Sequence, residues 1–68
     1  MELKEYFYTL TPDEREGYAT RSGTTVDYLI QLIGGHRRAS PALAKTLSQE
    51  SGEQVPLSKL RPDIWEAA

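Results

Sequence analysis

The side chains able to recognise another molecule are concentrated between Tyr18 and Arg38, where hydroxyl, carboxylate, amide and guanidinium groups alternate with apolar ones. The set suits binding rather than bond-making. His36, the one histidine, stands between Gly35 and Arg37 with no second metal ligand and no acid–base partner near it in sequence, so no metal or catalytic site is expected around it. Gly34-Gly35 lacks the spacing and the preceding strand of a nucleotide-binding loop. With no cysteine, thiolate chemistry and disulfides are also excluded. No catalytic residue and no cofactor is expected, and the chain is not read as an enzyme.

What remains is a recognition surface on one helix. Gly23 falls where the chain must reverse, a place for a positive φ that glycine adopts at little cost, and Ala19 puts a small side chain four residues earlier, where two helices approach closely. Thr25 can cap the helix that follows. Leu29, Leu32 and Ile33, at i, i+3 and i+4, make one buried stripe, which leaves Thr25, Val26, Asp27, Tyr28 and Gln31 on the outer faces. Such a face can read base edges in a DNA groove. Gln31 is suited to the N6 and N7 edge of adenine, worth about 1–3 kcal/mol of discrimination, and Val26 and Ile30, off the stripe, either touch thymine methyls or edge the core, with Ile30 placed at the core or the contact rim. Arg37 and Arg38 follow as a basic loop able to hold phosphates, which sets register without reading sequence.

These positions need a helical scaffold, and the chain carries its punctuation. Leu3, Phe7 and Leu10 mark a helix over 2–10. Thr11-Pro12 with Glu14 is a cap, a first-turn proline and a capping-box glutamate, which starts a second helix at Pro12 that runs to about Ser22. The third spans 25–33. Ser40-Pro41 repeats the cap and proline, and Leu43, Ala44 and Leu47 form the inner face of a fourth helix that ends near Ser51-Gly52. In the tail, 53–68, Pro56 and Pro62 bracket at most one or two helical turns. Its Val55, Leu57, Leu60, Ile64 and Trp65 either fold back over the first and fourth helices or make a subunit contact. Trp65 is expected as a core anchor, with a dimer contact at Ile64 and Trp65 as the alternative.

Sixty-eight residues make one small all-α domain without room for a deep catalytic cleft. The net charge of −2 hides a segregation of signs. Lys4 faces four acids in residues 1–14, and Lys59 and Arg61 face four in 46–68, whereas the middle holds Arg15, Arg21, Arg37, Arg38 and Lys45 against Glu16 and Asp27 only. A basic centre between acidic ends suits a modest DNA binder. No apolar run approaches the roughly 20 residues of a membrane span, and the N-terminus lacks signal-peptide character, so a soluble, cytoplasmic protein is expected.

Residues 12–45 resemble the helix-turn-helix of phage Cro and cI regulators, the lambda repressor-like family. The run Gly23-Thr24-Thr25-Val26-Asp27-Tyr28-Leu29-Ile30-Gln31-Leu32 carries the likeness. Nearly the whole chain is similar to small Cro-like proteins that include the YdaS-type antitoxins, through the Leu3-Lys4-Glu5-Tyr6-Phe7 start and the Leu60-Arg61-Pro62-Asp63-Ile64-Trp65 end. The resemblance implies a single helix-turn-helix domain over 1–68, with the motif at about 12–33 and four helices plus a short C-terminal helical segment. It places base contacts on Thr25, Val26, Asp27 and Gln31. Backbone contacts fall on Arg15, Tyr28, Gly34, His36, Arg37 and Arg38. Two departures stand in the turn, where Ser22 and Thr24 replace the family's usual apolar residues, and Asp27 brings a carboxylate to a DNA-facing helix, useful mainly as an acceptor from cytosine.

The function expected is that of a phage or prophage transcriptional regulator, a Cro-like repressor, bound as a homodimer to double-stranded DNA at an inverted-repeat operator. The alternative is an antitoxin or anti-repressor that uses the same fold to bind a toxin or other protein partner.

Overall fold

The computed structural model describes residues 1–65. Five helices run in order, α1 (Leu3–Thr9), α2 (Pro12–Arg21), α3 (Val26–Ile33), α4 (Pro41–Glu50) and α5 (Leu57–Leu60), and no strand occurs among the described residues. The starts are set by side chains that accept otherwise unpaired N–H groups. Thr11 Oγ1 accepts from Glu14 N–H at 3.2 Å, and Glu14 Oε1 returns the bond to Thr11 N–H at 2.8 Å. That Thr11 N–H, and then the hydroxyl, hold the Glu14 carboxyl below its usual range. Thr25 Oγ1 caps α3 through Tyr28 N–H at 3.1 Å, and Ser40 Oγ caps α4 through Leu43 N–H at 3.2 Å.

The helix ends share a different device. After α2, Gly23 takes φ +77° and the chain closes with bonds from Gly23 N–H to Thr20 O (3.1 Å) and Thr24 N–H to Ala19 O (2.9 Å). This is a Schellman turn, and the left-handed residue it needs is the glycine. After α3 the same pair of bonds recurs, Gly35 N–H to Leu32 O at 3.2 Å and His36 N–H to Gln31 O at 3.0 Å, with Gly35 at φ +79°. The second turn folds His36 and Arg37 back against the end of α3.

One core joins all five helices. Leu3, Tyr6 and Phe7 from α1, Tyr18 and Ala19 from α2, Leu29 from α3, Ala44 and Leu47 from α4, and the loop residues Ala39 and Val55 are buried together. At its centre the Tyr18 ring is wholly enclosed, meets Tyr6 edge to face at 5.2 Å, and donates its hydroxyl to Leu47 O at 2.7 Å. Burial pushes that phenol well above its ordinary range. The tail folds back rather than away: Val55 is fully buried, and Leu57, Leu60 and Trp65 pack against the core. An ion pair between Lys59 and Glu2 (3.3 Å) joins the α5 end to the α1 end.

The turn between α2 and α3 holds one imperfection. Ser22 is buried, yet its hydroxyl finds no hydrogen-bond partner among the described residues. An unpaired buried hydroxyl is destabilising by about 1–3 kcal/mol, so Ser22→Ala is expected to stabilise the fold by about 1 kcal/mol. Urea denaturation reads the change; a variant less stable than the parent would show that the hydroxyl is satisfied in solution.

Candidate nucleic-acid interface

α3 is two-sided because its apolar residues recur at helical spacing. Leu29 is completely buried, Leu32 and Ile33 are half-buried against the core, and Asp27, Ile30 and Gln31 are exposed. Thr25, at the cap, is exposed; Tyr28 is half-buried; and Val26 is half-buried and packed on the core, which leaves only its edge to solvent. Of its two expected places, the core and the contact rim, Ile30 takes the outer one. At 48% exposure it is the most open large apolar side chain of α3, because Leu29 and Ile33 on either side already fill the helix's contact with the core.

Past the second Schellman turn, Gly34, His36, Arg37 and Arg38 are all exposed. The turn brings Arg37 back onto α3, where its Nε donates to Gln31 Oε1 at 3.2 Å. Two residues expected to serve different purposes thus form one polar unit. Arg38 reaches the tail instead, with Nη1 at 3.4 Å from Asp63 Oδ2. His36, Arg37 and Arg38 line a surface groove together with Lys4, Lys59 and Leu60. The two lysines come from α1 and α5, far off in sequence, and are matched there by Glu2 and Glu5, so the net positive charge of the groove is that of the basic loop.

Arg15 sits elsewhere. Half-buried on α2, it donates from Nε to Phe7 O at 3.1 Å and lies over the rings of Phe7 (4.8 Å) and Tyr8 (5.2 Å). Those contacts tie α2 to α1. At the C-terminal end, Ile64 is exposed and Trp65 is half-buried against the core.

Arg61, to which the sequence assigns no role, organises the tail beside this surface. Its Nη1 donates to Ala39 O at 2.7 Å, while Nε and Nη2 grip the Asp63 carboxylate at 2.9 and 2.7 Å. The Ala39 carbonyl lies directly after the basic loop, so the fork fastens tail to loop. Hydrogen bonding from Arg61 holds the Asp63 carboxyl down to about 2 from its ordinary 3.8. A depressed carboxyl stabilises the fold above its ordinary pKa and loses that contribution as pH falls from about 4 through about 2. Trp65, whose backbone N–H bonds Arg61 O at 2.9 Å, reports the change. Its fluorescence is expected to titrate between about pH 4 and 2 and to lose that step in Asp63→Asn; an unaltered titration in the variant would dismiss the clasp as the cause.

Among the described residues no cluster of histidine, cysteine and acidic side chains could hold a metal ion, and no helix is long and apolar enough to cross a membrane. An all-helical domain with a glycine turn before a capped, two-sided helix and a basic loop after it is compatible with the helix-turn-helix class.

No protein-family model matches the chain. Over 63 residues it is 36% identical to a protein of Escherichia coli (strain K12) named a prophage transcriptional regulatory protein, across 93% of this chain and 96% of that protein. The chain belongs to the family of that prophage regulator.

Proposed function

We propose that the protein is a sequence-specific DNA-binding transcriptional regulator, a Cro-like repressor of phage or prophage type with a lambda repressor-like arrangement of helices. The carrying observation is the division of α3, with Leu29 wholly inside, Asp27 and Gln31 outside, and Arg37 bonded to Gln31. In this reading α3 enters the major groove. Thr25, Asp27 and Gln31 meet base edges, and Val26 meets them with its exposed rim. Tyr28 sits at the groove edge, and Gly34, His36, Arg37 and Arg38 lie along the phosphates. Arg15 has its Nε committed to Phe7 and brings only its Nη groups to the backbone. Nothing in the reading requires a catalytic step.

One α3 spans only a few base pairs, so specific binding calls for two half-sites related by a protein two-fold axis. Ile64, 44% exposed next to Trp65, is the proposed dimer contact. Selection from a random duplex library at moderate salt tests the proposal. An inverted repeat is expected, bound with a log–log salt slope of about −5 if three arginines per subunit neutralise phosphates in a dimer. Failure to enrich any motif even at low salt overturns it in favour of the antitoxin or anti-repressor reading, with a protein partner on Ile64 and Trp65.

A further inference from the structure

We infer that Arg37 is a positioning residue for Gln31, and that the pair turns the glutamine into a hydrogen-bond donor selecting guanine rather than adenine. The inference rests on the DNA-binding reading and specifies what its central side chain recognises. A guanidinium has donors and no acceptor, so the Gln31 atom facing Arg37 Nε at 3.2 Å has to be the carbonyl oxygen. The amide nitrogen, with both its hydrogens, is the group left for the groove.

Backbone geometry holds the pair in place. Residue 36 is pinned to residue 31 by the bond from His36 N–H to Gln31 O at 3.0 Å, and Gly35 at φ +79° supplies the reversal, so Arg37 emerges over the last turn of α3. Both side chains are exposed, which leaves the Arg37 Nη groups free to reach a phosphate while Nε keeps the glutamine oriented.

The base preference follows from the donor pattern. Guanine shows two acceptors in the major groove, O6 and N7, whereas adenine pairs an N7 acceptor with an N6 donor that needs an oxygen to accept it. In Gln31 one of that oxygen's two acceptor sites is already held by a cation, which fixes the amide's orientation and leaves a single site for the adenine N6 donor. Two donors from Nε2 toward O6 and N7 meet no such limit.

The test is library selection followed by affinity measurement on matched duplexes for four proteins: the parent, Gln31→Ala, Arg37→Ala and Arg38→Ala. The parent is expected to require guanine at one position of each half-site by about tenfold over adenine. Gln31→Ala flattens that position alone. Arg37→Ala frees the amide to swing, so the same position drifts toward adenine, on top of a uniform weakening from the lost phosphate contact; Arg38→Ala weakens all sites alike and keeps the guanine. Adenine at the Gln31-dependent position in the parent, or an Arg37→Ala profile indistinguishable from that of Arg38→Ala, overturns the inference while leaving the DNA reading intact. A parent that selects no motif overturns both.

Discussion

Tyr18→Ala is expected to leave the chain largely unfolded at 25 °C, whereas Tyr18→Phe keeps it folded and less stable by only about 1 kcal/mol. The difference lies in which part of the residue the core uses. The ring is fully enclosed, stacks edge to face on Tyr6 at 5.2 Å, and stands where α1, α2 and α4 converge. Emptying that volume removes about 3–5 kcal/mol, the loss usual for deleting a large buried ring. A domain of this length commands only about 3–10 kcal/mol in total, so little or nothing remains. Phenylalanine retains the packing and loses only the hydroxyl. Its acceptor, Leu47 O, is not orphaned, because Ser51 N–H also bonds it at 3.2 Å. Circular dichroism with urea denaturation separates the two variants. A Tyr18→Ala protein that still melts cooperatively with a loss under about 1.5 kcal/mol would show that this core closes over the void.

Removing Arg37 and Arg38 together is expected to cut DNA affinity by about a thousandfold at roughly 0.15 M salt and to flatten the log–log salt slope from about −5 to about −2. Each arginine placed on a phosphate releases bound counterions, and a dimer presents each residue twice. The free protein limits Arg38 already, since Asp63 sits 3.4 Å from it; both groups are well exposed, so this contact is weak and a phosphate can displace it. The fold should be indifferent to the change, because neither arginine is buried and the Arg61 fork that holds the tail is untouched. Fluorescence anisotropy over a salt series reads both quantities. An unchanged slope with lower affinity would move the phosphate contacts to other residues, with the groove lysines Lys4 and Lys59 next to be replaced.

The helices were legible because their signals are local. A cap lies within three residues of the N–H it serves, and a glycine turn within six residues of the carbonyl it closes, so Thr11, Thr25, Ser40, Gly23 and the Gly34-Gly35 pair marked boundaries that the structure keeps. The apolar stripe of α3 was equally plain from its spacing. Less so was the standing of residues at the stripe's edge. Val26 and Ile30 are both β-branched and both lie off the stripe, yet one packs on the core and the other is open, a choice made by the neighbouring helices and not by α3.

By itself, then, the sequence determined four helices with their approximate ends and a short helical segment in the tail, a buried stripe on α3 with polar residues facing away from it, and a basic loop after it, since all of these depend on residues within one or two helical turns of each other. Tertiary structure alone decided the rest. Tyr18 became the centre of the core because α1, α2 and α4 close around its ring, with its hydroxyl bonded to a carbonyl 29 residues away, and Arg15 became a strut between α1 and α2. The tail closed over the core, and Arg61 fastened it to Ala39 across 22 residues. Arg37 met Gln31 because a left-handed glycine turned the chain back on itself. Long-range partners such as these are selected by shape and by the need of each buried polar group for a mate, and neither requirement leaves a periodic trace in the order of the residues.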